Sequence, residues 1–291
     1  MVVQPFERKL KLGEAAGRGV QFALREFFNT PIDLARTGLP STLNGRSVVV
    51  QGFGNVGWHV AKFLAEDGCK IVAVLEQNGA VLQPDGINVV HLKEHFDEAK
   101  SFAGFRGGRF LTDGDALLKL DCYILVPAAL EGVINIDNAA DIRAKIVAEA
   151  ANGPVTFEAD RELRRRGKII IPDLFANAGG VTVSYFEWVK NITHMAFGLM
   201  ERRRRQHEAL TLAAAVEKMT GLKFPRADFE SVLAGGREID LVRSGLEEKM
   251  RSAYREMSEL WNGDKGIVDL RTAAYVIALR RIAARYEAVG I

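Results

Sequence analysis

Residues 47–57 have the sequence Ser-Val-Val-Val-Gln-Gly-Phe-Gly-Asn-Val-Gly, and this stretch decides the fold. The β-branched run Val48–Val50 predicts a buried strand, and a helical pattern, His59–Ala65, follows it. Between them stands the motif G-x-G-x-x-G, with its glycines at Gly52, Gly54 and Gly57. In this motif the first glycine allows a tight turn, the second lets a pyrophosphate approach the backbone, and the third lets helix and strand pack closely. The stretch therefore predicts a strand, loop and helix that bind phosphates at the helix N-terminus.

A second strand-like run, Lys70–Leu75, ends in Glu76, about 20 residues after the last glycine of the motif. At this position in dinucleotide-binding folds, an acidic side chain binds the ribose hydroxyls of the adenosine. The glycine motif alone also occurs as an ordinary turn in α/β domains. The carboxylate at the end of the second strand favours a site for NAD.

Composition limits the class of protein. The chain has 291 residues, of which 48% are hydrophobic and 26% charged, and its net charge of +2 argues against a dedicated nucleic-acid surface. No run of about 18 apolar residues predicts a membrane span, and the N-terminus lacks the pattern of a signal peptide. Cys69 and Cys122 lack metal-ligand spacing, so we expect buried, reduced thiols, no metal site and a cytoplasmic location.

The order of patterns along the chain predicts an α/β fold with a doubly wound, Rossmann-type parallel sheet and a C-terminal helical segment. A helix over 13–29 precedes a loop that begins at Pro31. Strands and helices then alternate, with a small hairpin at Ala80–Leu82. Long helical patterns follow at about 195–220, 242–261 and 269–288. The predicted divisions are 1–40 for an N-terminal helix and connector, 41–194 for the nucleotide-binding domain and 195–291 for the helical region.

Three further segments follow predicted strands, at the edge where open α/β sheets bind ligands: Val126–Gly132, Ala148–Pro154 and Pro172–Ser184. In the third segment Asn177, Val181 and Ser184 are spaced so that on one helix they share a face. That face would offer an amide, an aliphatic wall and a hydroxyl to a small polar substrate. Each residue alone has a simpler structural explanation, such as a helix cap for Asn177.

These segments resemble the coenzyme-binding, C-terminal half of the glutamate/leucine/phenylalanine/valine dehydrogenases, most closely the glutamate dehydrogenases. The resemblance covers nearly the whole chain. Its motifs are Glu14–Val20, Gln51–Gly57, Ile124–Ala129, Ala148–Pro154, Asn177–Trp188 and Asp269–Val276.

The resemblance implies a role for each matching residue. Pyrophosphate binding falls to the loop residues Gly52, Phe53, Gly54, Asn55, Val56 and Gly57. Glu76 would bind the adenosine ribose, and Ala128 and Ala129 would line the coenzyme cleft. Asn152 and Asn177 would position the nicotinamide ribose and carboxamide. Val181 and Ser184 would contact the substrate side chain, the serine meeting the distal carboxylate of glutamate.

The resemblance also implies the activity, the oxidative deamination of glutamate to 2-oxoglutarate and ammonia with NAD or NADP. Two departures stand out. Ala16 occupies a position where the family has a threonine that helps to hold the nicotinamide amide. The chain also lacks the glycine-flanked lysines and the aspartate of the family's N-terminal catalytic domain, so we assign it no catalytic residue. We expect the isolated chain to bind coenzyme without turnover.

Two alternatives remain open. The chain could be a non-catalytic NAD-binding or assembly protein derived from a glutamate dehydrogenase. It could also act on another small acid, although none of its five histidines has a sequence context typical of a catalytic base. We expect a homo-oligomer or a missing catalytic domain as partner. The basic run Arg202–Arg205 is most simply a solvated helix face.

Overall fold

The computed structural model describes residues 12–193, 199–223 and 238–290. Its helices are α1 (Leu12–Phe28), α2 (Pro31–Thr37), α3 (Asn55–Glu66), α4 (Val89–Ala99), α5 (Ile136–Ala139), α6 (Phe157–Arg165), α7 (Asp173–Ala176), α8 (Gly179–Thr193), α9 (Leu199–Thr220), α10 (Glu238–Gly263) and α11 (Leu270–Val289), with a 3-10 turn at Asp115–Lys119.

One seven-stranded sheet forms the centre of the fold. The strands are β1 (Ser47–Gln51), β2 (Lys70–Glu76), β3 (Gly79–Leu82), β4 (Arg109–Leu111), β5 (Ile124–Pro127), β6 (Ile146–Ala148) and β7 (Ile169–Ile171). Their order across the sheet is β4-β3-β2-β1-β5-β6-β7. β2, β1, β5, β6 and β7 run parallel, whereas β3 and β4 are antiparallel additions at one edge. The predicted α/β fold is confirmed.

Burial along β1 shows that helices cover both faces of the sheet. Val48, Val49 and Val50 are all fully buried, although neighbouring side chains of a strand point to opposite faces. On one face Val49 joins a buried cluster to which α6 contributes Leu163. β1 itself is central, because Val50 pairs with Val74 of β2 on one side and with Val126 of β5 on the other.

One predicted detail is wrong. The sequence predicts a loop that begins at Pro31, but Pro31 is the first residue of α2, whose C-cap is Gly38. Proline is well suited to the first turn of a helix, because the N–H that it lacks would have no intrahelical acceptor there. The predicted hairpin at Ala80–Leu82 forms with β2 and is extended by a further strand, β4.

A buried carboxylate attaches α2 to α10. Asp33 has no exposed surface, and it accepts hydrogen bonds from Tyr254 Oη at 2.6 Å, Ser258 Oγ at 3.0 Å and Asn262 Nδ2 at 2.6 Å. Burial and the neighbouring Asp33 carboxylate raise the pKa of Tyr254. These bonds satisfy a carboxyl group whose burial without hydrogen bonds would strongly destabilise the fold.

The described residues form two compact units. Those within Lys11–Val181 and Lys249–Ile291 form one, which contains the sheet and α11, and those within Thr182–Glu248 form the other. No helix in the described ranges is both long and apolar enough to cross a membrane.

Cys69 and Cys122 are buried free thiols, and burial raises the pKa of each to about 12. The expectation that both cysteines are buried is confirmed.

Candidate functional site

The candidate site lies at the carboxyl ends of the central parallel strands. After β1 the chain turns to β2 on one side, and it later returns to β5 on the other side of β1. Loops that leave β1 and β5 therefore diverge and open a crevice between them. Open α/β sheets bind ligands at such a topological switch point.

The glycine motif forms the first wall of this crevice, and its three glycines have different surroundings. Gly52 has a φ of +95°, which favours glycine, and a Cβ built on it would lie 2.8 Å from the Ala129 Cβ. A Cβ on Gly57 would lie 1.9 Å from the Gly52 carbonyl oxygen. A Cβ on Gly54 would meet no atom within 4 Å. Gly52 and Gly57 are therefore required by the chain itself, whereas Gly54 borders open space.

Helix α3 begins at this open space. Gly54 is its N-cap, and the Trp58 N–H donates to the Gly54 carbonyl at 3.0 Å. The N–H groups of the preceding first turn, Asn55 to Gly57, have no intrahelical acceptor because of helix geometry. Gly54 and Asn55 are exposed, and Val56 is half-buried. A phosphate placed here would accept hydrogen bonds from backbone N–H groups at the positive end of the helix dipole.

Phe53 contributes to the site only through its backbone. Its side chain is 1% exposed and packs edge-on against Trp58, Phe96 and Phe102, with ring centroids 5.6–5.9 Å away. This aromatic cluster joins the glycine loop to α3 and α4. It holds the loop in place beside the N-terminus of α3.

Glu76 lies beside the glycine loop, at the end of β2. One carboxylate oxygen accepts a hydrogen bond from the Phe53 N–H, and the other accepts one from the Gln77 N–H at 3.3 Å. A carboxylate has acceptor sites for about four hydrogen bonds, so Glu76 retains sites for a diol. The side chain is half-buried, between the loop and solvent.

The loops after β5 and β6 form the opposite wall. The Ala128 N–H donates to the Gln51 carbonyl at 2.7 Å, which holds Ala128 and Ala129 beside the glycine loop. The N–H groups of Ala150 and Ala151 donate to the Pro127 carbonyl at 3.0 and 2.9 Å. Small side chains at these positions leave a flat wall that a planar ring could lie against.

Two amides are paired at the far end of this wall. Asn177 Nδ2 donates to Asn152 Oδ1 at 2.6 Å and to the Ala151 carbonyl at 3.3 Å. Within the described part of the chain, this pairing leaves Asn152 Nδ2 as a donor and Asn177 Oδ1 as an acceptor for a ligand. The structure thus brings together two residues that lie 25 positions apart in sequence.

The predicted shared face of Asn177, Val181 and Ser184 is wrong. Asn177 is the C-cap of α7, and a new helix, α8, begins at Gly179. Only Val181 and Ser184 lie on α8, where both are exposed. The break arises because Gly179 lies against α1: a Cβ on Gly179 would be 2.2 Å from the Ala15 carbonyl oxygen. Ala16, next to this contact, is buried.

A cluster of charges behind Asn152 had no counterpart in the sequence prediction. Arg271, at the start of α11, contacts three carboxylates: Glu149 Oε1 at 2.6 Å, Asp160 Oδ1 at 3.0 Å and Asp173 Oδ1 at 3.3 Å. Arg164 donates to Asp160 at 2.7 Å and pairs with Asp269 at 2.5 Å. These residues come from four separate segments, so no local spacing could have shown the cluster.

Glu149 is the most unusual member of this cluster, because its side chain has no exposed surface. Burial raises the pKa of Glu149 to about 7, although Arg271 opposes that rise. Glu149 also accepts a hydrogen bond from the Asp173 N–H at 2.7 Å. A carboxylate inside the protein is thus held by one guanidinium and one backbone donor.

Of the basic run on α9, the side chains of Arg202, Arg203 and Arg205 lie outside the described residues. Arg204 is exposed and pairs with Glu208 at 2.7 Å, one helical turn away. This agrees with a solvated helix face for Arg204.

The family model for Glutamate/Leucine/Phenylalanine/Valine dehydrogenase matches residues 10–220. A probable glutamate dehydrogenase of Sinorhizobium fredii is 47% identical over 273 residues, which are 93% of this chain and 61% of that protein. An NADP-specific glutamate dehydrogenase of Halobacterium salinarum is 38% identical over 276 residues, 95% of this chain and 54% of that protein. The chain thus spans between 54% and 61% of these relatives.

Among solved structures, the hetero-hexameric glutamate dehydrogenase of Thermus thermophilus in its leucine-bound form is similar, with a TM-score of 0.72 and 25% identity. The match covers 98% of this chain and 55% of the Thermus chain. The sequence and structure comparisons therefore both find glutamate dehydrogenases, and in each case this chain covers only part of the matched protein.

Proposed function

Because the chain belongs to the glutamate/leucine/phenylalanine/valine dehydrogenase family, we propose that it supplies the coenzyme-binding half of an NAD(P)-dependent glutamate dehydrogenase. The observation that carries this proposal is the crevice at the switch point, where the glycine loop, Glu76 and the paired amides Asn152 and Asn177 meet. The reaction would be the oxidative deamination of glutamate to 2-oxoglutarate and ammonia. A bound nicotinamide would accept the hydride.

The residues of the crevice fit a dinucleotide. The open space at Gly54 and the free N–H groups of α3 suit a pyrophosphate, and the Glu76 carboxylate suits the adenosine ribose diol. Ala128 and Ala129 would lie along the coenzyme, and Asn152 and Asn177 would donate to and accept from the nicotinamide ribose and carboxamide. These residues would orient the coenzyme and exclude water from one face of the coenzyme.

The binding proposal is tested with the variant Gly54→Val. Calorimetric titration of the wild-type chain with NADH should give a saturating signal, and Gly54→Val should weaken binding by at least about 100-fold, because the side chain fills the pyrophosphate space. Gly263→Val is the matched control, since a Cβ at Gly263 also meets no atom within 4 Å. Wild-type protein that gives no saturation at millimolar NADH would rule out the proposal.

We further propose that NAD is preferred over NADP. Glu76 can accept hydrogen bonds from two ribose hydroxyls but repels a 2′-phosphate. Removing that negative charge with Glu76→Ser should shift the ratio of the two dissociation constants toward NADP by roughly tenfold. An unchanged ratio would show that Glu76 does not meet the ribose.

The substrate assignment rests on α8. We propose that Val181 and Ser184 contact the glutamate side chain, the hydroxyl of Ser184 donating to the distal carboxylate. Both residues are exposed and thus accessible to a substrate. A hydroxyl suits a dicarboxylic amino acid better than an aliphatic one, whose pocket needs no polar group.

We assign proton transfer to residues outside this chain, in line with the absence from it of the family's glycine-flanked lysine motif. The isolated chain should therefore bind NADH without oxidising glutamate. Absorbance of NADH formed above the blank, in protein free of host dehydrogenase, would contradict this assignment. We propose a cytoplasmic location for the protein. We also propose that the nucleotide-binding domain extends from about residue 41 to about residue 194, between the N-terminal connector and the C-terminal helical region.

We also propose that the chain self-associates through α11. Along one face of this helix Tyr275, Leu279, Ile282 and Tyr286 are between 53% and 63% exposed. An apolar stripe of this length favours burial against another surface. Light scattering should show dimers or larger species, and Leu279→Lys should shift them toward monomer. A wild-type chain that stays monomeric at high concentration would exclude this interface.

A further inference from the structure

The guanidinium of Arg271 joins three segments around the proposed coenzyme crevice. Glu149 follows β6, Asp160 lies on α6 and Asp173 begins α7, and Arg271 contacts all three carboxylates within 3.3 Å. Its side chain is 21% exposed. Arginine is suited to this position because its planar fork offers several donors in fixed directions.

A chain of hydrogen bonds leads from Arg271 to the amide pair. Asp173 accepts from Arg271 through Oδ1, and its other oxygen, Oδ2, accepts from the Gly153 N–H at 2.8 Å. Gly153 directly follows Asn152, whose Oδ1 accepts from Asn177. The position of the Asn152 amide thus depends on a loop that Asp173 holds.

Glu149 adds a second connection to the same loop. One of its oxygens accepts from Arg271 at 2.6 Å, and the other accepts from the Asp173 N–H at 2.7 Å. Glu149 therefore fixes the start of α7, whose C-cap is Asn177. Both asparagines are connected to Arg271, one through each end of this short helix.

We propose that Arg271 is a positioning residue that sets the geometry of the Asn152–Asn177 pair through Glu149 and Asp173, and so orients the nicotinamide half of the coenzyme. This inference rests on the proposed function, in which that pair meets the nicotinamide. Arg271 itself lies behind the pair and donates to carboxylates, not to the ligand. The loss of Arg271 should therefore weaken the binding of the nicotinamide half of the dinucleotide and leave the binding of the adenosine half unchanged.

The experiment compares two ligands on the full chain. NADH contains both halves of the coenzyme, whereas ADP contains only the adenosine and its diphosphate. Arg271→Met should weaken NADH binding about tenfold and change ADP binding less than twofold, both measured by calorimetric titration. If Arg271 only stabilised the fold, its loss would weaken the binding of NADH and ADP in parallel, because both halves of the coenzyme would bind at the edge of the same sheet.

Asp173→Ala provides an independent variant that leaves the Arg271–Glu149 pair in place and removes the acceptor of the Gly153 N–H. It should give the same selective loss of NADH affinity, and it decides the question if Arg271→Met does not fold. Arg281→Met is the control on the same helix, since Arg281 is 66% exposed and pairs with Glu256 at the surface. Both affinities should be unchanged in the control.

The outcomes separate the two proposals. Parallel loss of NADH and ADP binding, or no loss of either, would overturn the positioning role of Arg271. A wild-type chain that binds neither ligand would overturn the proposed function itself. A wild-type chain that binds both, with a selective loss of NADH in Arg271→Met or Asp173→Ala, supports the inference.

Discussion

The glycine loop and the Arg271 cluster border the same crevice but are built in opposite ways. The loop is local and made of backbone: Gly52, Gly54 and Gly57 lie within six residues, and the positive φ of Gly52 and the close approaches at Gly52 and Gly57 determine its shape. The cluster is assembled from Glu149, Asp160, Asp173 and Arg271, which are distant in sequence and meet only in the folded chain. One region can be recognised in the sequence, and the other becomes visible only with the tertiary structure.

This difference predicts different kinds of sensitivity. At Gly52 or Gly57 of the loop, one added methyl group would displace the backbone, and the ligand site would be lost with it. In the cluster, the loss of one side chain leaves its buried partner without a compensating charge. This lowers the free energy of unfolding more than the same change at the surface does. The contributions of the two regions can therefore be distinguished by measuring both the free energy of unfolding and the affinity for NADH in the same variants.

The largest effect on stability should come from Arg271→Met. It leaves the fully buried Glu149 without its cation and also removes a contact from Asp160 and Asp173. We expect the free energy of unfolding to fall by about 3–5 kcal/mol, measured by urea denaturation at pH 8, above the pKa of about 7 that burial gives Glu149 in the wild-type fold. Arg281→Met, on the exposed part of the same helix, should change it by less than about 0.5 kcal/mol. Equal effects of the two variants would show that burial of the cluster contributes nothing.

Gly57→Ala should have the next largest effect, about 3 kcal/mol, because its Cβ would lie 1.9 Å from a backbone oxygen of Gly52. NADH binding should be lost as well, since the loop must move. Gly54→Ala is the matched variant, with nothing near its Cβ. It should keep the wild-type stability and weaken NADH binding only. If both variants unfold at the wild-type denaturant concentration, the close approach at Gly57 is not required for the fold.

The parts of the fold that the sequence predicted are those that local pattern determines. The β-branched run of β1, the glycine spacing and Glu76 are each defined by neighbouring residues, and all three lie together in the structure. Helix α2 was missed because Pro31 is typical of both a chain break and a helix start, and the buried contacts of Asp33 decide between them. Asn177 was placed on the wrong helix because the break before Gly179 depends on contact with α1. In each miss, a distant segment overrides the local pattern.

The smallest predicted effect, about 2 kcal/mol, concerns the pH dependence of stability, and it arises from the cluster alone. Burial raises the pKa of Glu149 from 4.5 to about 7 in the folded chain. The folded state therefore binds a proton that the unfolded state has already released between these two values. Since the folded state binds more protons there, stability should fall as the pH rises from 5 to 7.

Glu149→Gln isolates this contribution, because glutamine is close in shape and does not titrate. Exposed groups such as Asp97 and Asp141, whose pKa values are lowered by lysine partners, titrate in both proteins and cancel in the difference. The free energy of unfolding, measured by urea denaturation at each pH, should show a difference between wild type and variant that changes by about 2 kcal/mol from pH 5 to pH 7 and is constant above pH 8. The glycine loop contains no titratable group, so Gly54→Ala should follow the wild-type curve throughout. A pH-independent difference between wild type and Glu149→Gln would mean that Arg271 keeps Glu149 ionised at every pH tested, and that the cluster is a permanent ion pair in the folded chain.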